Sequence, residues 1–434
     1  MNAIKLFPAL VLILFILGAC QKSPEDYKAE LTREGVSLTP ERLSQAVIAA
    51  DLPLLERMAQ AGMDLNTPLP EGKTAFLLAA EHNQVAVLSF LNTRRISAEA
   101  VMPDGRSALH LAAAAGNKEA VQFLLNLKIS PNTLDQASRS PLVAAAEKNH
   151  LAVFQLLHAA QENASVKNPE SISPLAAALE NGHEDMALTL LGLGYDYKTA
   201  SVQGQPFLVW ASATNQKKVF SKLLELGADP NAKIKTPAST TFKAKVANEN
   251  FHYYLTKEKN VTLLMMVAAL GQTELVDLLL LNGADKTAQT THHKTTAIYL
   301  ASVNHHASIV QVLLGKSAKP EDQRFRIEVS ISKQKATLFK DGKKYLNTAI
   351  SSGRKGFGTP RGTYVVTNKY KDWISTLYHA EMPYFLRLNC GPIGLHAGAL
   401  PGYPASHGCI RLPYEKAKEI FATVDVGTIV NIID

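Results

Sequence analysis

Ser107-Ala108-Leu109-His110-Leu111-Ala112-Ala113 (SALHLAA) is one copy of a pattern that returns through most of the 434-residue chain. Small or hydroxyl-bearing residues, or a proline, open the copies at Thr74, Ser107, Ser140, Ser173 and Pro206, a spacing of 33. Thr262 and Thr295 resume the register after an insertion of 23 residues. Five positions on from the first five starts lie Ala79, Ala112, Ala145, Ala178 and Ala211, and seventeen on from those starts and from Thr262 lie Leu91, Leu124, Leu157, Leu190, Leu223 and Leu279. Alanines at a fixed register let paired short helices approach closely, and the leucines fill the space between one pair and the next. Gly62, Gly194, Gly227 and Gly283 share a register where a helix end calls for positive φ. The pattern is that of an all-α solenoid.

A period of 33 with SALHLAA close to TPLHxAA resembles the ankyrin repeat. That resemblance implies about eight units over residues 39–318, the outermost two as caps, and an extended surface for an envelope protein partner. A segment at about 234–259 (Phe251-His252-Tyr253-Tyr254 within it) interrupts the array, as a partner-binding loop or an elaborated turn. His110 stands where ankyrin repeats use histidine structurally. The other histidines of the array lack a Cys or carboxylate framework, so no metal site is expected.

His396 to Leu412 reads HAGALPGYPASHGCIRL. A thiol with a pKa of about 8.5 is only a few per cent thiolate at neutral pH, so a nucleophilic cysteine needs a base beside it. Cys409 has two candidates, His396 thirteen residues upstream and His407 two residues upstream, with a Gly- and Pro-rich loop between them able to turn back. On an extended strand His407 projects to the same face as Cys409. Gly408 bears no side chain, which lets an acyl group approach the N–H groups of Gly408 and Cys409 as an oxyanion hole. Ser406 is expected to hold the loop by hydrogen bonds. Arg411 either recognises a substrate carboxylate or braces the loop through carbonyls. Around this loop, Arg326–Ile331, Ala336–Phe339, the segment from Tyr345, Tyr364–Val366, Tyr384–Leu388, Ile393–His396 and Thr428–Ile433 alternate as strands, and Pro413–Val424 reads as a helix. Met382, Tyr384 and Trp373 are candidates for the wall of a groove, with core packing the alternative for Trp373.

SHGCIR with the upstream HAG, Ser351-Ser352-Gly353 and Thr359-Pro360-Arg361-Gly362 resembles the L,D-transpeptidases (YkuD-like), cysteine enzymes that remodel peptidoglycan. The resemblance covers residues 324–434, after a charged linker at 319–323. It implies a mainly β domain with Cys409 as nucleophile and His396 as base, the Ala397 carbonyl being a candidate to orient the imidazole. It also implies acylation of Cys409 by carbapenems and no cofactor. The gap between His396 and Ser406 is shorter than in many members, which affects the shape of the lid more than the chemistry.

Met1–Cys20 carries Lys5, an apolar run over Leu6–Leu17 and then Leu17-Gly18-Ala19-Cys20. The run is too short to cross a hydrocarbon core of about 30 Å, yet suits a secretory signal. Small residues before a cysteine resemble a bacterial lipobox, which implies lipid on Cys20, anchorage in the envelope and a periplasm-facing chain. No aspartate follows Cys20, which points to the outer membrane. Residues 21–38 are polar and read as a tether.

From Arg324 onward there are 16 Lys+Arg against 8 Asp+Glu, a net of +8, so the overall +7 resides in that domain. A basic surface suits an acidic polymer. Peptidoglycan stems with free carboxylates qualify, and a secreted chain excludes nucleic acid. Only Cys20, Cys390 and Cys409 are present. A Cys390–Cys409 disulfide would abolish the nucleophile, so Cys390 is read as a small strand residue near the pocket. The expected reaction is acyl transfer through Cys409 to an amine, giving cross-links or wall-attached protein. Two alternatives stay open, hydrolysis by the same site (an L,D-carboxypeptidase or amidase) and a catalytically silent envelope adaptor.

Overall fold

The computed structural model describes residues 22–162 and 172–434. The expected signal and Cys20 lie outside the described residues. The chain divides into two compact units, residues 1–193 and 194–434.

In the first unit five antiparallel helix pairs run from Pro40–Ile48 to Glu184–Gly192. Their starts follow the repeat register. Thr74 Oγ1 accepts from the Leu77 amide and Ser140 Oγ from the Val143 amide, both at 3.3 Å, satisfying orphan donors of the first turn. Phe76, Leu77, Ala79 and Ala80 are wholly or almost wholly buried, as are Ala108, Leu109, Ala112 and Ala113 one repeat on. Histidines tie neighbouring repeats together. His110 Nε2 lies 2.9 Å from the Arg139 carbonyl, His150 Nε2 3.1 Å from that of Ala114, and His183 Nε2 2.8 Å from that of Glu147. These rings are inter-repeat bridges. Residues 21–38 are not a plain tether. Pro24–Arg33 is a helix closed by a Ser23–Asp26 capping box, with Leu31 buried. Its mostly polar composition hid it, and local capping with one buried leucine sustains it.

In the second unit the pairs Phe207–Ala213 with Lys217–Glu225, Leu263–Ala269 with Thr273–Leu281, and Ala297–Val303 with Ala307–Leu313 continue the pattern. The last pair starts one residue late. Thr296 is its cap, because the Thr295 amide is drawn back to Thr290 Oγ1 at 3.1 Å. The segment 234–259 is neither a loop nor a simple turn. It forms helices Thr240–Lys245 and Glu249–Lys257, capped by Ser239 and Asn248, that bury Phe242, Phe251 and Leu255. Phe242 packs on Trp210 with ring centroids 5.4 Å apart.

Eight strands follow: β1 Phe325–Ser330, β2 Lys335–Lys340, β3 Lys343–Ala349, β4 Gly362–Tyr370, β5 Phe385–Leu388, β6 Gly394–Ala397, β7 Ile410–Leu412 and β8 Ile429–Ile433. Their order is β3-β2-β1-β8-β4-β5-β6-β7. β1 and β8 pair in parallel, as do β6 and β7, and the other neighbours are antiparallel. β4 joins the halves, its first residues pairing with β8 and its last with β5. Helix Tyr414–Thr423 follows β7, with Pro413 outside it as its cap, and buries Ala417 and Ile420. Among the described residues no helix is long and apolar enough to cross a membrane.

Candidate active site

β6 and β7 set the site. Their register pairs Leu395 with Ile410 and His396 with Arg411. Paired residues of parallel strands share a face, and side chains two apart along a strand share one too. Cys409 lies in the bend immediately before β7, next to the strand whose Arg411 pairs with His396. The Arg411 charge acts on both the imidazole and the thiol.

His396 is 5% exposed, and its Nδ1 lies 2.8 Å from the Ala397 carbonyl. A carbonyl only accepts, so Nδ1 carries the proton and a neutral ring presents Nε2 as its base. Burial holds its pKa below the ordinary 6.5, the Ala397 carbonyl opposes this, and Arg411 depresses it further. The ring packs edge-on against Phe385, centroids 6.3 Å apart, and Phe385 in turn stacks on Trp373 at 6.0 Å.

Burial pushes the pKa of the Cys409 thiol above its ordinary value, with the Gly394 amide and Arg411 working against that rise. The Sγ lies 3.7 Å from the Pro392 carbonyl, as expected of a thiol donating weakly. Gly394 packs against β5 only because it has no side chain. A Cβ there would sit 2.3 Å from the Leu386 oxygen and 2.4 Å from the Phe385 ring.

The loop before Cys409 is held from both sides. Ser406, 2% exposed, donates its hydroxyl to the Cys409 carbonyl and accepts from the Gly408 amide at 3.1 Å. Gly408, at φ 113°, gives its carbonyl to Thr359 Oγ1 at 2.8 Å, and that hydroxyl oxygen also accepts from the Gly353 amide at 2.9 Å. The expected pair of oxyanion donors is thus reduced. The Gly408 N–H is spent on Ser406, whereas the Cys409 N–H meets no acceptor among the described residues.

The remaining predicted residues divide. His407 is exposed at the rim, its Nε2 accepting from Arg354 Nη2 at 2.7 Å, its ring stacked on Tyr378 at 4.5 Å and edge-on to Phe357 at 4.8 Å. Arg411 exchanges two backbone hydrogen bonds with Ser351, both 3.0 Å. Its side chain lies along Gly398 and its guanidinium bonds no carbonyl among the described residues, so it does not brace the loop in the expected way. Tyr384 is not a groove wall. It is 9% exposed, at φ 57°, and packs on Tyr414 and Phe421 with centroids 5.4 and 5.6 Å apart. That backbone turn ends the strand expected from 384 and points the ring into the core. Cys390 lies in a turn at φ 54°, not in a strand, and both it and Cys409 are free thiols. Arg354, Phe357, Tyr378, Pro392 and Gly394 were not singled out in the sequence. Only their nearness to Ser351–Gly353 and to His396 hinted at them.

Comparison with known proteins agrees with both halves. The L,D-transpeptidase catalytic domain (YkuD) model matches residues 324–432. The model of ankyrin repeats in three copies matches 43–135, 142–234, 244–324 and 264–356. The last match runs on into β1–β3, where the chain is no longer helical. Among solved structures, the human ASB11 ankyrin repeat domain is 21% identical with a TM-score of 0.44, over 57% of this chain and 100% of that one. An L,D-transpeptidase from Mycobacterium tuberculosis H37Rv is 27% identical with a TM-score of 0.24, over 26% of this chain. One from Mycobacterium smegmatis is 22% identical with a TM-score of 0.25, again over 26%. The chain spans 58% and 59% of the length of those two proteins. No curated protein matches it.

Proposed function

Because the chain belongs to the ankyrin-repeat proteins and carries an L,D-transpeptidase catalytic domain, we propose that it is a cysteine-dependent acyltransferase acting on peptidoglycan stem peptides. The observation that carries this is the hydrogen bond between His396 Nδ1 and the Ala397 carbonyl, 2.8 Å, which leaves Nε2 as the ring's acceptor on the strand paired with the one that Cys409 leads into.

The steps follow from those groups. His396 Nε2 takes the Cys409 proton, and the thiolate attacks the carbonyl of the third stem residue in a tetrapeptide donor. The Cys409 N–H holds the oxyanion. Collapse breaks the peptide bond, the imidazolium returns its proton to the departing D-alanine nitrogen, and a thioester remains. An acceptor amine then attacks the thioester, His396 removes a proton from that nitrogen, and the thiol is restored as the new amide forms. Arg411 favours the thiolate and disfavours the imidazolium, so it eases ionisation of one partner while keeping the other a free base. Arg354, His407, Tyr378 and Phe357 form a cationic and aromatic rim suited to a stem carboxylate.

The same reading takes Cys20 as the lipid-bearing end, supported by Leu17-Gly18-Ala19-Cys20, and the helical array as the surface for an envelope protein. Cys20→Ala should move the protein from the membrane fraction to the soluble one. For the activity itself, residues 22–434 are incubated with tetrapeptide muropeptides and the products weighed by mass spectrometry. Cross-linked dimers support transfer, and trimmed stems alone mean hydrolysis. No change beyond a Cys409→Ala control leaves only the adaptor.

A further inference from the structure

The last helix pair of the array is fastened to β4, to the residues ahead of β8 and to the turn after β5. Gln311, 2% exposed, donates from Nε2 to the Gly427 carbonyl at 2.8 Å. A Cβ on Gly427 would lie 2.6 Å from Lys316 Cγ, so the backbone ahead of β8 is pressed against the helix end. The His305 ring stands edge-on to Tyr364 of β4, centroids 6.0 Å apart. Asn389 completes the seam. Its Nδ2 donates to the Ser302 carbonyl at 3.4 Å, and its Oδ1 accepts from the Val365 amide at 2.8 Å.

Asn389 also opens a strained turn. It and Cys390 take φ of 49° and 54°, and two successive residues other than glycine in the left-handed region persist only where their surroundings hold them. The holding groups are visible. The Asn389 amide donates to the Val365 carbonyl at 3.0 Å, the Cys390 amide to Thr367 Oγ1 at 3.0 Å, and the Leu388 amide to the Ile393 carbonyl at 2.9 Å. The chain that leaves this turn carries the Pro392 carbonyl, 3.7 Å from the reactive sulfur, and then Gly394, whose amide lowers the thiol's pKa.

We propose that Asn389 is a positioning residue, through which the terminal helical repeat fixes the 388–393 turn and so the backbone groups around the Cys409 sulfur. The array is then part of catalytic competence, not only a surface for partners. This rests on Cys409 being the nucleophile, but its test does not need turnover.

The test compares residues 22–434 with the variants Asn389→Asp, Gln311→Met, His305→Asn and Ser302→Ala. Asp retains the acceptor for Val365 and tolerates positive φ but loses the donor to Ser302. Met conserves volume and removes the donor to Gly427. Ser302→Ala is the control, since its buried hydroxyl has no hydrogen-bond partner and its carbonyl is kept. Iodoacetamide alkylation is followed against pH by peptide-resolved mass spectrometry, so that Cys390 is read separately. Asn389→Asp and Gln311→Met should slow Cys409 alkylation at neutral pH about tenfold, and lower kcat on muropeptides similarly with KM little changed, as small displacements of a reacting group do. The Ser302→Ala profile should match the parent. If Asn389→Asp or Gln311→Met does not fold, His305→Asn decides, since it removes only a ring contact and should still slow the thiol. Variants that melt earlier yet keep the parent's Cys409 profile overturn the proposal. A slowed thiol in a chain that leaves muropeptides unchanged would instead refute the transpeptidase reading and leave the coupling standing.

Discussion

Arg354 Nη2 donates to His407 Nε2 at 2.7 Å, which makes that nitrogen an acceptor already in use. His407 therefore has no free basic nitrogen, whereas His396, with Nδ1 on the Ala397 carbonyl, keeps Nε2 as its acceptor. The two histidines should separate cleanly by kinetics. His396→Ala is expected to lower kcat by about 10²–10⁴, the usual worth of a general base. His407→Ala and Arg354→Ala should act mainly on KM. Steady-state rates on a muropeptide donor check this, and equal kcat losses for both histidines would reverse the assignment.

The pH profile follows from His396. Its pKa is held below 6.5 by burial, and the ring must be neutral to accept a proton, so activity should rise with pH and reach its plateau before neutrality. An acidic limb centred above 6.5 in kcat/KM would contradict a buried His396 base.

Stability should share that direction. His110, like His396, is pushed below 6.5, chiefly by burial. A group whose folded pKa is depressed binds its proton more readily when unfolded, so its contribution is present above the unfolded value and is lost as pH falls below it. The denaturant midpoint should thus decline as pH falls below about 6.5. His110→Asn should flatten part of that decline, because His110 bridges Ser107 and the Arg139 carbonyl.

Thr359 links Gly353 to Gly408 through one hydroxyl. Thr359→Val keeps the shape and leaves two backbone groups unpaired, at a cost of about 1–3 kcal/mol. Thr359→Ser should recover most of it. Urea unfolding of the three chains measures both changes.

How much of this was legible in the sequence depended on periodicity. The spacing of 33 exposed the array because each repeat must bury the same face, and Cys409 with His396 stood out because their spacing is tied to chemistry. What escaped was set by single backbone choices. Tyr384 looked like a strand residue at a groove, but a φ of 57° turns it into the core. Gly408 looked like an oxyanion donor until Ser406 claimed its amide. Arg354, far from His407 in sequence, could only be found once Gly353 had brought its loop against Thr359. The polar stretch after residue 21 hid a helix because a capping box, one buried leucine and the Arg57 pairing with Glu34 at its end involve few apolar residues.

The central claim is that Cys409 forms a thioester with the donor stem, driven by His396. It is tested most directly by acid-quenching residues 22–434 with a tetrapeptide stem and weighing the peptide that contains Cys409. The account predicts an adduct equal to the donor minus its terminal D-alanine, present in the parent and in His407→Ala and strongly depleted in His396→Ala. An adduct on another residue, or one that forms in His396→Ala as fast as in the parent, would contradict it.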